Sequence, residues 1–328
     1  MRRRTFIGAL ASTIGGFSLQ ARAQEYKLVS RIGVLTPWLA ADRERQVEID
    51  SFRDRLLDQA RAANHRIEIV ERWAAGDADG LANRAIELAE LRPEVLVGFS
   101  TPVVAALQRA SRTIPIVFAN AQNPVGSGFA ASLARPGGNI TGFIALEPTM
   151  GGKWLETLRE IAPNVMQVGT VYNPDTHTGQ HFESINAAAQ SLGITLIELR
   201  FRNAADIQRG ITTFARLPNC GLLILPDSST SFHRNSIIEM AVLSRLPAIY
   251  PYRIFMESGA LAYYGSDTRA QYRLVADYVI RILKGEKPSD LPIQAPTKFE
   301  LVISLQAAKR IGIQLSPTLL ARADEVIE

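Results

Sequence analysis

The sequence predicts an α/β protein built as two doubly wound, parallel-sheet lobes joined by a hinge. Three observations carry this. Short apolar runs rich in β-branched residues alternate with longer segments of helical spacing, the pattern of a parallel sheet covered on both faces. The order of elements in residues 31–143 recurs from residue 168 onward. A length of 328 residues with 47% hydrophobic content supports two domains with proper cores and argues against disorder.

Residues 1–23 read as a leader. Arg2-Arg3-Arg4 precedes an apolar stretch over 7–19, and Ala21-Arg22-Ala23 offers small residues where a signal peptidase cuts. The stretch is too short, and too rich in Gly, Ser and Thr, to span a bilayer. Arg3-Arg4-Thr5-Phe6-Ile7 resembles the twin-arginine export pattern, with an ordinary secretory signal as the alternative. No cysteine follows the cut, so no lipid anchor is expected. The mature protein is expected outside the cytoplasm, soluble and monomeric. Without the four leader arginines, 32 basic residues balance 32 acidic ones. Nucleic-acid binding needs a net basic face and is not expected. Cys220 is the only cysteine, which excludes an internal disulfide and a cysteine metal centre, and it is expected to be buried.

The first half opens with a strand over 31–37, followed by Trp38 and a charged helical segment over 44–63 with apolar Val47, Phe52, Leu56 and Leu57. Residues 67–73 alternate as a second strand. Gly76-Asp77 turns the chain and caps a helix over 81–91, which Pro93 ends. Residues 95–99 form strand three. Ser100-Thr101-Pro102 reads as a cap with proline in the first turn of a helix to residue 110. Residues 116–119 form strand four. It runs into Asn123-Pro-Val-Gly-Ser-Gly128, which forces a turn, and residues 140–146 form a further apolar run.

The second half repeats the order: a strand over 168–172, a helix over 182–192, a strand over 194–199 and a helix over 204–217. The run at 222–225, ending in Pro226-Asp227, matches strand three. A helix over 234–243 and strands over 247–250 and 260–264 follow. Then the register changes. A helix over 272–284, a proline-rich connection over 287–296, a strand over 299–303 and small helices over 307–311 and 318–327 close the chain. Proline-rich connections suit crossings between lobes. The expected division is 31–143 plus 268–292 for one lobe and 144–267 plus 293–328 for the other. Two facing lobes with several crossings form the geometry of a hinge-closing binding protein.

Several motifs now converge: Trp73-Ala-Ala-Gly-Asp77, Ser100-Thr-Pro102, Pro115-Ile-Val-Phe118, Asn123-Pro-Val-Gly-Ser-Gly128, Ser132-Leu-Ala-Arg-Pro-Gly-Gly-Asn-Ile-Thr-Gly142, Pro296-Thr-Lys-Phe-Glu-Leu-Val-Ile303 and Leu320-Ala-Arg-Ala-Asp-Glu-Val-Ile327. Together they resemble the extracytoplasmic solute-binding proteins of ABC transporters associated with tryptophan and tyrosine uptake. The resemblance spans nearly the whole mature chain. It implies a type I periplasmic-binding fold with three hinge crossings and a periplasmic location. It further implies a small solute, an aromatic amino acid or a related carboxylated aromatic compound, and an ABC permease as partner, with no catalysis. The family usually has Asp-Pro-Val where this chain has Asn123-Pro124-Val125; if that acid binds an ammonium group, Asn123 weakens the case for an α-amino acid as the solute.

Site candidates lie just beyond the carboxyl ends of strands, where open sheets bind ligands. Ser100 and Thr101 open a helix, whose free N–H groups and dipole suit a carboxylate, though Ser100 could serve only as a cap. Asp227 and Asp267 each follow a strand and offer charge to an ammonium, or cap helices. Trp38 and Tyr172 end equivalent strands and are expected to face each other as aromatic walls, or to pack on their own lobes. Asn120 and Asn123 sit at the mouth of strand four and either bond the solute or turn the chain.

Rival readings are weaker. Gly126-Ser-Gly-Phe-Ala-Ala131 fits a dinucleotide fingerprint, with Glu147 at ribose-binding distance, but it follows the fourth strand and Arg135-Pro136 cuts any helix short. An exported dinucleotide oxidoreductase is therefore only an alternative, and no cofactor is expected. Gly98-Phe-Ser100 lacks the second glycine of a hydrolase elbow. His177 and His181 have metal-ligand spacing with Asp175 but lack a Glu between them, and read as the solvated start of a helix; no metal is expected. A ligand sensor serving a partner other than a transporter shares the expected fold.

Overall fold

The computed structural model describes residues 29–144 and 146–328. The predicted leader lies outside them. Lobe 1 alternates strands and helices: β1 (Val29–Thr36), α1 (Arg43–Ala62), β2 (Arg66–Trp73), α2 (Ala78–Glu90), β3 (Val95–Phe99), α3 (Thr101–Ala110), β4 (Ile116–Ala121) and β5 (Ile140–Ile144). Its five strands are ordered β2-β1-β3-β4-β5 and all pair in parallel. Gly142 lets β5 approach β4, because a Cβ there would sit 2.2 Å from the Phe118 carbonyl oxygen.

Lobe 2 continues with α4 (Met150–Ile161), β6 (Gln167–Tyr172), α5 (Phe182–Leu192), β7 (Thr195–Arg200), α6 (Ala204–Phe214) and β8 (Cys220–Ile224). Then come α7 (Ser228–Phe232), α8 (Arg234–Leu243), β9 (Ala248–Tyr250), α9 (Ile254–Glu257), β10 (Ala262–Ser266), α10 (Thr268–Leu283), β11 (Phe299–Ser304), α11 (Leu305–Ile311), α12 (Pro317–Arg322) and β12 (Glu325–Ile327). The second sheet is ordered β12-β11-β10-β9-β8-β6-β7, parallel except where β11 meets β10.

The two sheets bury separate cores. Trp154, Leu223, Ile249 and Tyr263 belong to one continuous cluster in lobe 2. In lobe 1, apolar clusters cover both sheet faces, and α10 contributes Tyr272, Val275 and Val279 to the one shared with Phe52 and Leu56 of α1. The chain therefore passes between lobes after Ile144, after Ser266 and between Leu291 and Phe299. These crossings are tied together. Ile144 N–H donates to Gln294 O at 2.9 Å, and Gln271 Nε2 donates to Ile144 O at 3.1 Å and to Ser266 Oγ at 3.3 Å.

The structure departs from the sequence reading at several points, and the short helices α7 and α9 are additions to it. Helix α4 was not expected, because Gly151-Gly152 in its first turn disfavours a helix; burial of Trp154, Leu155, Leu158 and Ile161 on one face outweighs that cost. The expected terminal helix over 318–327 stops at Arg322, since Glu325–Ile327 pair in parallel with β11. His177 and His181 do not form a solvated helix start: His181 is 0% exposed and its ring packs on Trp154 at 5.1 Å.

Burial holds both histidines neutral, with pKa values lowered to about 4 for His177 and about 3 for His181. Folded, they bind protons less readily than unfolded, so their stability is complete above pH 6.5 and is lost as pH falls below it. At pH 5 each costs on the order of 2 kcal/mol. Asp227, raised to about 6 by burial, works in the opposite sense and returns about 1.3 kcal/mol between pH 7 and 5. Urea unfolding at pH 5 is expected to show roughly 2–3 kcal/mol less stability than at pH 7; equal stability would mean the rings are solvated.

Candidate functional site

A cavity lies between the lobes. Its lobe 1 wall comes from the segments after β1, β3 and β4 and from the first turn of α1, its lobe 2 wall from those after β6, β8 and β9. The carboxyl ends of both parallel sheets thus converge on one space, where strand-end loops and helix N-termini leave backbone groups free to meet a ligand.

The least compensated group there is Arg45, on α1. Its position follows from the helix: Ile49, Phe52, Leu56 and Ala60 form the buried stripe, and Arg45 and Glu48 continue it toward the N-terminus. Arg45 is 2% exposed. Its Nη1 donates to Glu48 Oε2 at 2.5 Å, and its guanidinium lies 3.9 Å above the Trp38 ring. Its Nε and Nη2 have no hydrogen-bond partner among the described residues. A buried guanidinium with unpaired N–H groups on a cavity wall is incomplete without an acceptor.

Neighbouring groups share that condition. Trp38 Nε1, Ser100 Oγ and Asn120 Oδ1 also line the cavity unpaired. Ser100 stands at the N-cap position of α3 but makes no capping bond, and its φ of 122° is a strained, glycine-like conformation. That strain sets the positive end of α3 against the cavity. Thr101 Oγ1 accepts from Gln122 N at 2.8 Å, and Asn120 Nδ2 donates to the Tyr272 hydroxyl at 3.0 Å, fixing the loop after β4.

On the opposite wall, Asp227 caps α7. Its Oδ1 accepts from Thr230 N at 2.6 Å and its Oδ2 from Asn173 N at 3.2 Å. Burial raises its pKa to about 6 despite these bonds. The carboxyl can thus bind a cation when ionised and an anion's oxygen when protonated. Tyr252, from the segment after β9, is 8% exposed on the same wall, and burial pushes its hydroxyl well above the ordinary range.

Direct bonds close the lobes over the cavity. Gln122 of lobe 1 donates through Nε2 to Pro226 O, and its Oε1 accepts from Thr178 Oγ1 at 3.0 Å. Arg234, at the start of α8, forks onto Asp42 at 2.7 and 2.8 Å and reaches Glu44 at 3.0 Å. Asp42 is also the N-cap of α1, accepting from Arg45 N at 3.3 Å. The cross-lobe ion pair therefore grips the turn that carries Arg45.

Of the positions singled out in the sequence, Trp38, Ser100, Thr101, Asn120 and Asp227 line this cavity. Tyr172 does not face Trp38: its hydroxyl donates to Glu198 at 2.6 Å and accepts from Arg200 at 2.9 Å, and its ring packs on Phe182 and His177. Asn123 is exposed and turns the chain, its Oδ1 accepting from Gly126 N at 3.0 Å. Asp267 caps α10 through Ala270 N at 3.1 Å, away from the cavity walls. Arg45, Gln122 and Tyr252 were not singled out. Only Arg45 carried a signal, its place on the apolar stripe of α1. Among the described residues no cluster of three or more His, Cys, Asp or Glu could hold a metal ion.

Comparison with known proteins gives four findings. A family model described as "ABC transporter substrate binding protein" matches residues 45–327. The chain is 22% identical over 264 residues to a tyrosine-binding protein of Clostridioides difficile, covering 79% of this chain and 74% of that one. Among solved structures, it is similar to an ABC domain in complex with L-Trp from Streptococcus pneumonia, with a TM-score of 0.82 at 22% identity over 92% of this chain and 100% of that one. A ligand-free, open substrate binding protein from Clostridium difficile gives a TM-score of 0.63 at 19% identity over 91% of this chain and 99% of that one.

Proposed function

This chain belongs to the ABC transporter substrate-binding protein family, and on that premise we propose that it captures a small carboxylated aromatic solute, with aromatic amino acids the first candidates. As a member of that family it is a solute-binding component that works with a membrane permease, and not an enzyme. The observation that carries the solute proposal is the unpaired edge of Arg45, buried in the cavity between the lobes. A ligand carboxylate would complete it, assisted by Ser100, Thr101 and the start of α3. Asp227 and Asn120 Oδ1 are assigned to an α-ammonium. Neither Asn123 nor Asp267 lines the cavity, so this reading gives them no solute contact. Export to the periplasm belongs to the same reading, supported by the twin-arginine-like leader, as does action as a monomer.

Closure follows from differential affinity. Only the closed form brings Arg45 and Asp227 to the same solute, so the solute stabilises that form. A thermal-shift screen of the mature chain against amino acids and aromatic acids tests this. A ligand at a hundredfold excess over its Kd adds about 2.7 kcal/mol, a rise of at least several degrees. No rise with any carboxylated aromatic compound would refute the proposal. Asp227→Asn then separates zwitterions from simple acids. It is expected to weaken an amino acid about tenfold or more, while the des-amino analogue binds no more weakly at pH 5 and more tightly at pH 7, where the variant lacks the carboxylate charge. For the same reason, amino-acid affinity should rise through pH 6 as Asp227 ionises, and affinity for the simple acid should fall.

A further inference from the structure

The cleft does not end at the inner cavity. A second chamber adjoins it, and Pro102, Thr176 and Ser228 line both. Measured as the space open to the centre of a water molecule, the inner cavity holds about 20 Å³ and the outer about 240 Å³. The first is room for a water or two, whereas an apolar cavity of about 150 Å³ already accepts benzene. The inner space thus fits a carboxylate and excludes a ring. The outer chamber combines apolar walls from Pro37, Ala74, Leu81 and Phe232 with polar ones that include Asp77 and the paired Asp175 and Arg202. The lobes touch at its rim: Phe232 of lobe 2 lies so near Gly76 of lobe 1 that a Cβ there would meet the ring at 3.0 Å. Gly76, with φ of +78°, makes that approach possible.

We propose that the cleft is divided by function, the inner cavity binding the solute's carboxylate and the outer chamber its apolar body. The preferred solute class is then a monocarboxylic acid whose ring is held at least two carbons from the acid group, as it is in the aromatic amino acids. This rests on the carboxylate reading of Arg45 and refines it. Ala74 and Phe232 determine specificity in the outer chamber, and Arg45 anchors every member of the class.

The test is calorimetric titration of the mature chain with phenylacetate, 3-phenylpropanoate, 4-phenylbutanoate and 5-phenylpentanoate. Affinity is expected to rise about three- to fourfold per added methylene until the ring is seated. Phe232→Ala, a change at a partly exposed position, is expected to flatten that rise, so that 5-phenylpentanoate loses several times more affinity than phenylacetate does. Ala74→Leu, which narrows the chamber, should weaken the long members about tenfold or more. Affinity that falls with spacer length, or a rise that neither variant alters, would overturn the division. If Arg45→Met still abolishes binding across the series in that case, the carboxylate reading stands alone. If no acid in the series binds the wild type, the division is rejected along with it.

Discussion

Arg45→Met is expected to abolish solute binding, with affinity reduced at least a hundredfold. The substitution removes the two unpaired donors from the cavity wall and leaves a thioether that no carboxylate can bond. Truncating one member of a buried, hydrogen-bonded charge pair costs about 2–5 kcal/mol in binding. The same change strands Glu48, which is 4% exposed and whose carboxyl is raised by burial against the pull of Arg45. An uncompensated buried charge destabilises a fold by roughly 3–5 kcal/mol, so the single variant should also melt several degrees lower. Arg45→Met combined with Glu48→Gln removes both charges and should recover most of that stability. It should not recover binding. This separation of fold from function is read by thermal melting alongside titration. Tight binding by the double variant would remove Arg45 from the site.

Arg234→Met carries the second largest effect, an affinity loss of about ten- to a hundredfold without any change in the cavity wall. Arg234 and Asp42 are 8% and 10% exposed, so their pair is little screened and is made only when the lobes are closed. Although burial pushes the Asp42 carboxyl up, Arg234 holds it below its ordinary value. Losing the pair shifts the protein toward open forms, and apparent affinity falls in proportion to the closed fraction. Asp42→Asn keeps the cap on α1 and removes that charge but leaves Glu44 to Arg234, so it should show a loss in the same direction and no larger than that of Arg234→Met. The double variant should be no weaker than Arg234→Met, because that change already deletes the pair with Asp42. Small-angle scattering of the ligand-free variants should show a larger radius of gyration than the wild type. An unchanged radius and unchanged affinity would mean the pair does not bias closure.

Much of the fold was legible because its signals are local. The bounds of α3, α5 and α8 follow from Pro102, from Gly193 in the left-handed C-cap of α5 and from apolar spacing. Strands β3 and β11 stand out as compact apolar runs. What escaped depends on tertiary contacts. Glycines hid α4, whose stability comes from Trp154 and Leu158 packing inward. The pairing of β12 with β11 has no local cue in Glu325-Val326-Ile327. The site divides the same way. The end of a strand is visible in sequence, so Ser100, Asn120 and Asp227 could be placed near the cleft. The direction a side chain takes from that end is not visible, and Tyr172 turns toward Glu198 and Arg200 of its own sheet. Arg45 sits among Asp42, Arg43, Glu44 and Gln46, a cluster that looks like an ordinary solvated face. Only its register with Ile49 and Phe52 marks it as buried.

The central claim, that closure is driven by a solute carboxylate at Arg45, is tested most directly by titrating the mature chain with a matched pair. Tryptophan and tryptamine share a ring and an ammonium and differ by the carboxylate alone. The acid is expected to bind one to one with a negative heat-capacity change and the amine at least a hundredfold more weakly. Equal affinity for the two would contradict the account.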